Sequence, residues 1–335
     1  MKKKKSFILI SAVLSAVLFA SCSTSMSTNF SANWYENTGN NTVAPGTNET
    51  LVYNVEKKAD SGLNSSYSVE YQKGTYTTTL STEQRANEDG KTELFYSYQT
   101  KLEISVQFLF GAEVSEVFND VLTSKVLFRS TQLGLQPIYS EKEVYSHSPI
   151  NSSPSSLEGC YAEYHYKVVT EYRDKCTAGT ATLTDLSEEN GTVQTTNFSI
   201  SDDYSYIDNE ELLFAIRGMS LTTSEQLLVY NASTESVQTV KVVPAEEADD
   251  EFEFEVLDED ESGSDEDNNK RTITYRPVSI AINATNPGAT QTAYYAKTVA
   301  ATNNTWRNVM LKLETPISYN LGTLVYTLKS ASFAK

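Results

Sequence analysis

The chain reads as a mainly β protein: one large, curved, half-barrel-like antiparallel sheet with one short internal helix. Three observations lead there. Apolar residues recur with period two over most of the sequence, some of these runs are unusually long, and only one segment carries both a helix start and a helix stop.

The longest run sets the architecture. Between Leu94 and Phe110 the even positions include Tyr96, Tyr98, Leu102, Ile104, Val106 and Phe108, while the odd ones include Ser97, Gln99, Lys101, Glu103 and Gln107. Successive side chains of a strand point to opposite faces, so this pattern predicts one long strand with a single apolar face. From Ala162 to Tyr172 the same rule puts Tyr164, Tyr166, Val168 and Tyr172 opposite Glu163, His165, Lys167 and Glu171. Earlier, Tyr67, Val69 and Tyr71 are odd but Tyr76, Thr78 and Leu80 are even, so the parity flips across Gly74. A bulge or bend at Gly74 is the simplest reason. Shorter strands are expected at 51–55, 121–128, 180–184, 192–200, 226–230, 237–243, 252–256, 272–282, 293–296, 308–314 and 323–328. Strands this long and one-sided suggest a curved sheet with one face covered. The aromatics Tyr96, Tyr98, Phe108, Tyr164 and Tyr166 are then expected on its concave side as candidates for lining a ligand groove.

The helix is expected at Asn209–Arg217. Asp208 is a good N-cap, Glu211 stands three residues later in capping-box position, and Leu212, Ala215 and Ile216 share a face. Gly218 supplies the stop, and Arg217 in the last turn complements the helix dipole.

Before the sheet come two segments of a different kind. Lys2 to Lys5 form a basic stretch, Phe7 to Ala20 an apolar run, and Phe19-Ala20-Ser21-Cys22 a junction of small residues. The apolar run is shorter than the roughly 20 residues a spanning helix needs, so residues 1–21 read as a secretory signal. The junction resembles the lipobox of bacterial lipoproteins, with Phe19 where that family usually carries Leu. The resemblance implies that Cys22 is acylated and becomes the mature N-terminus, placing the protein on the outer side of a bacterial membrane, periplasmic or at the cell surface. Residues 22–50, rich in Ser, Thr and Asn, are expected to be a flexible tether, and 51–335 a single β domain.

Composition narrows the chemistry. With 26 Lys plus Arg against 44 Asp plus Glu, a formal charge of −18, no basic footprint exists for nucleic acid. Two His and three Cys leave few ligands for zinc or haem, and no cofactor is expected. The sequence holds no HExxH, GxSxG or CxxC motif and no phosphate-cradling glycine loop. His165 falls on a polar strand face and His147 in a Ser/Pro-rich turn region, 146–156, so both read as surface histidines. Asp202 and Asp203 are adjacent and would point to opposite faces of an extended chain. An enzyme is therefore not expected.

The segment 246–269 is an acidic insertion; Glu246 to Asp267 alone holds 14 carboxylates and no basic residue. Asp258-x-Asp260-x-Ser262-Gly263 copies the opening of a calcium loop, but the twelfth position is Asn269, which removes the bidentate ligand. A solvated loop is the expectation, with Asp258, Asp260 and Ser262 as weak metal candidates. Phe252, Phe254 and Val256 alternate with carboxylates, as an edge strand kept soluble by charge does. Cys160 and Cys176 stand at opposite ends of an expected strand, more than about 40 Å apart at 3.3 Å per residue. A disulfide needs Cα atoms within about 7 Å, so two buried thiols are favoured.

Asp208 to Leu221, followed by Val237 to Val242, resembles the Asp…Leu…Arg…Leu helix and following strands of a domain-of-unknown-function family in exported bacterial proteins. Leu313-Glu314-Thr315-Pro316 and Leu321-Gly322-Thr323-Leu324 are similar to that family's closing strands. Such domains resemble the open half-barrels of bacterial lipoprotein carriers, and no catalytic residues come with them. Two functions stay open: a lipid-anchored module sheltering a hydrophobic or amphipathic ligand, or a structural or interaction lipoprotein with a filled core.

Overall fold

The computed structural model describes residues 48–58, 66–86, 90–131, 134–188, 191–202, 204–219, 221–257, 269–283, 290–297, 299–301, 304–306 and 308–334. The signal, Cys22 and the calcium-like residues Asp258, Asp260 and Ser262 lie outside them.

In chain order the strands are β1 (Asn48–Lys58), β2 (Ser68–Tyr71), β3 (Gly74–Ala86), β4 (Thr92–Phe110), β5 (Glu113–Val114), β6 (Phe118–Thr131), β7 (Gly134–Pro149), β8 (Tyr161–Arg173), β9 (Ala178–Asp185), β10 (Val193–Ser199) and β11 (Tyr206–Asp208). A 3-10 turn (Asn209–Glu211) leads into the helix α1 (Leu212–Arg217). Then follow β12 (Glu225–Asn231), β13 (Ser236–Pro244), β14 (Ala248–Glu253), β15 (Glu255–Leu257), β16 (Lys270–Ile282), β17 (Gln291–Ala296), β18 (Val299–Ala301), β19 (Asn304–Trp306), β20 (Met310–Pro316) and β21 (Thr323–Ala334).

One continuous ladder joins most of them. It runs β10, β9, β8, β7, β6, β4, β3, β1, then β21, β20, β17, β16, β13, β12 and β11. The first and last strands of the domain, β1 and β21, thus pair in the middle of the sheet and weld its two halves. The pairing is antiparallel except for the short contacts β11 with β12 and β15 with β21.

The parity flip at Gly74 has its expected cause. β2 pairs with β4 as Tyr71 opposite Val106, and β3 pairs with the same strand as Thr75 opposite Glu103. Between these pairs three residues, 72–74, stand against two, Ile104 and Ser105, which is a bulge. A Cβ at Gly74 would stand 2.8 Å from Ile104 Cγ1 and 2.9 Å from the Glu103 carbonyl oxygen, so only glycine fits.

The helix start also forms as the sequence predicts. Asp208 Oδ1 accepts from the Glu210 N–H at 2.8 Å, and Glu211 Oε1 accepts from the Asp208 N–H at 3.0 Å, in a capping box. Leu212, Phe214, Ala215 and Ile216 are buried in the main core, among side chains from both halves of the sheet. A second cluster forms around Val69, Val106, Phe108 and Cys160.

The sheet coils until its two edges meet through side chains. Phe198 of β10 stacks on Tyr230 of β12 with ring centroids 4.2 Å apart, and Tyr172 of β8 donates to Asp208 of β11. Among the described residues the edges carry no ladder between them; aromatic rings and the buried Asp208 carboxylate close the seam.

Some expectations need correction. β7 occupies residues assigned no strand, and it contains His147, which is 3% exposed rather than on the surface. The ladder against β6 shifts between Leu127 opposite Tyr139 and Phe128 opposite Pro137, so Ile138 is a bulge. It moves the inward positions from Leu135 to Ser140 and Val144, which hides the alternation. β1 begins at Asn48, inside the expected tether, and Glu49 is already buried. The acidic segment is partly strand: β14 pairs with β16, and Phe254 is buried. Cys160 and Cys176 are both free, buried thiols.

Candidate functional site: a polar cleft on the outer face

The long strands sort their side chains by parity. On β4, Ile104, Val106 and Phe108 are buried while Gln99, Lys101 and Glu103 are exposed.

The inward aromatics are engaged with one another. Tyr96 stacks on Phe128 at 5.5 Å, and Tyr98 on Phe214 of the helix at 4.6 Å. The Tyr98 hydroxyl bonds to the side chains of Tyr76 and Thr78 and, with burial as the main cause, its pKa is pushed up to about 12. Phe108 stacks on Tyr161 at 4.6 Å in the second cluster, away from the other two. Tyr164 is 40% exposed and Tyr166 is half-buried. The structure therefore places the five groove candidates in three different surroundings. A shared strand face runs through more than one environment when the strand is nineteen residues long.

The outward face of the same strands is where a cleft opens. Where β3, β4, β6, β7 and β8 lie side by side, it encloses about 520 Å³. β3 contributes Thr77 and Thr79, β4 Gln99, Lys101 and Glu103, β6 Thr123 and Lys125, β7 Glu141 and Glu143, and β8 Lys167. Three cations thus face three carboxylates, in a chain with a large acidic excess. Lys101 pairs with Glu103 at 2.8 Å, Lys125 with Glu83 at 2.6 Å and Lys167 with Glu141 at 3.2 Å. Partial burial works against the Glu141 carboxylate, but the Tyr139 hydroxyl and the Lys167 ammonium outweigh it and hold its pKa below the usual range. Once the lysines are taken, the hydroxyls of Thr77, Thr79 and Thr123 and the carboxylate of Glu143 keep free hydrogen-bonding capacity in the cleft.

A second polar group was not legible in the sequence. Asp120 Oδ2 accepts from the His147 backbone N–H at 2.9 Å, and Asp120 Oδ1 lies 2.9 Å from His147 Nδ1. The Phe118 ring stacks on the imidazole at 3.8 Å, and Glu163 lies 3.7 Å from Nε2. The β6–β7 ladder ends at Val121 opposite Tyr145, so the Asp120 carboxylate takes the place of a strand partner where the two strands part. Burial raises the Asp120 pKa despite the bonds to His147. Among the described residues no group of three or more His, Cys, Asp or Glu is arranged to hold a metal ion.

The fold and this cleft define a mainly β, barrel-like protein with stacked aromatic rings on its inner face and a polar groove on its outer face. No family model matches the chain, and no match is found among curated proteins. Among solved structures it is similar to the beta-barrel-like protein of domain of unknown function DUF1849 from Brucella abortus, at 12% identity over 88% of this chain and 100% of that one, with a TM-score of 0.43.

Proposed function

We propose that the protein is an exported, non-enzymatic lipoprotein, held on the outer side of a bacterial membrane by acylated Cys22, that takes a polar, hydroxyl-rich ligand of the saccharide class in its outer cleft. One observation carries this reading: the long strands commit their aromatic face to internal stacking and leave their polar face open as a cleft. A ligand among Tyr96, Tyr98 and Phe108 would have to displace rings already stacked on Phe128, Phe214 and Tyr161. In the cleft, by contrast, the lining is hydroxyl, amide, ammonium and carboxylate. These groups suit a ligand that brings hydrogen-bonding partners of its own, and the balanced charges favour one without net charge. The missing catalytic motifs support a binding role over an enzymatic one.

The test is an NMR titration of the protein with chitotriose as the probe. Amide shifts are expected in β3, β4 and β6 around Thr79, Gln99 and Thr123, and Thr79→Val with Thr123→Val should weaken binding at least about tenfold, each lost hydrogen bond contributing roughly 1 kcal/mol. Shifts absent from the cleft would overturn the saccharide reading. Tight binding of a fluorescent fatty-acid probe would restore the hydrophobic-ligand reading in its place.

A further inference from the structure

The seam between the sheet edges is held by a buried pair of acids. Asp208 and Glu211 are 2% and 0% exposed. From β8 the Tyr172 hydroxyl donates to Asp208 Oδ2 at 2.5 Å, and from β7 the Ser140 hydroxyl bonds to the same carboxylate. These two contacts, with the Lys142 to Glu210 ion pair at 2.9 Å, seat β11 and the helix start on β7 and β8. Glu211 uses Oε1 in the capping box, while its Oε2 is buried with no partner. An ionised carboxylate with one oxygen buried and unpartnered is strongly disfavoured, and a carboxylic acid is not.

Among the described residues the surroundings hold no free counter-charge for a second anion. Tyr172 of β8, Cys176 of the 3-10 turn Asp174–Cys176 and Tyr230 of β12 face the pair, and burial raises the pKa of each, so all three stay neutral. Glu210 adds a like charge, and Lys142, which faces the pair, is taken by Glu210.

We infer that Asp208 and Glu211 are a proton-held latch: while at least one proton stays on the pair, β11 and α1 remain seated against β7 and β8, and loss of that proton releases the seam. Burial, with the Glu210 charge, lifts Asp208 to about 6, and burial, with the Asp208 charge, lifts Glu211 well above the usual carboxylate range. Both values are raised in the closed state. The closed seam is therefore tightest below the ordinary carboxylate range and loses stability as pH rises through the raised values.

Hydrogen exchange of the full chain in detergent micelles tests this, with rates corrected for intrinsic pH dependence. Protection of amides in 206–217 should fall by about tenfold or more per pH unit between about pH 5 and about pH 6, while amides of β3 and β4 hold. Glu211→Gln should remove about one tenfold step per unit, and Asp208→Asn with Glu211→Gln should flatten the profile. An unchanged slope in Glu211→Gln would overturn the latch. Should the variants not fold, infrared spectroscopy of the unaltered protein decides: a buried protonated-carboxyl band at about pH 6 that fades together with the protection of 206–217 supports the latch, and its absence at about pH 6, where ordinary carboxyls are ionised, overturns it.

Discussion

Arg217 and Glu49 form a bidentate ion pair across 168 positions of sequence, with Nη1 2.6 Å from Oε1 and Nη2 2.9 Å from Oε2. Both side chains are buried, so the last residue of α1 is bolted to the second residue of β1. The sequence places Arg217 where a cation complements a helix dipole, but its partner comes from the opposite end of the domain. Glu49→Gln should destabilise the fold by about 3–5 kcal/mol, because it strands a buried guanidinium. Replacing both residues with apolar ones of similar volume should cost much less, and urea denaturation of the two variants measures the difference.

Phe214 connects the helix to the sheet through Tyr98 at 4.6 Å and Phe128 at 5.4 Å. Phe214→Ala removes both contacts from the main core and should cost about 3–5 kcal/mol. A loss below about 1 kcal/mol in thermal or urea unfolding would mean that the inner face is not packed as described.

Gly74→Ala should destabilise by about 1–3 kcal/mol, since the added methyl meets Ile104 and the Glu103 carbonyl inside ordinary contact distance. The matching variant Ile104→Ala should recover part of the loss in a double-mutant cycle. Full additivity of the two changes would place the clash elsewhere.

Burial pushes the Cys176 thiol up to about 12 and raises that of Cys160 as well. Only the thiolate is nucleophilic, so iodoacetamide at neutral pH should label neither in the folded protein and both after denaturation. Rapid labelling of Cys176 in the native state would show that the seam opens readily.

The proposed membrane anchor rests on Cys22. Cys22→Ser should move the protein from the detergent phase to the aqueous phase and abolish incorporation of a fatty-acyl label, because stable anchoring takes two or more acyl chains. Detergent partition unchanged by the substitution would remove the anchor from the proposed function.

Much of the fold was legible because its signals are local. Alternation in β4 and β8, the capping box at Asp208 and Glu211, and the bulge at Gly74 each depend on residues a few positions apart. β7 escaped because the bulge at Ile138 reverses the inward parity partway along the strand, and its histidine was misplaced with it. The outer cleft was half visible. Lys101, Glu103 and Lys167 sit on polar strand faces in the alternation, but nothing in the sequence says that β3, β4, β6, β7 and β8 lie side by side to gather them.

By itself, then, the sequence determined the β character, the faces of the long strands and the start of the helix, because side-chain period and capping act over one or two turns of chain. Tertiary structure alone decided that Glu49 meets Arg217, that Asp120 fills the gap beside His147, and that Asp208 joins Tyr172 to close the seam. Each of these depends on the order of strands in the ladder and the coil of the sheet, which bring together residues whose separation in sequence carries no periodic trace.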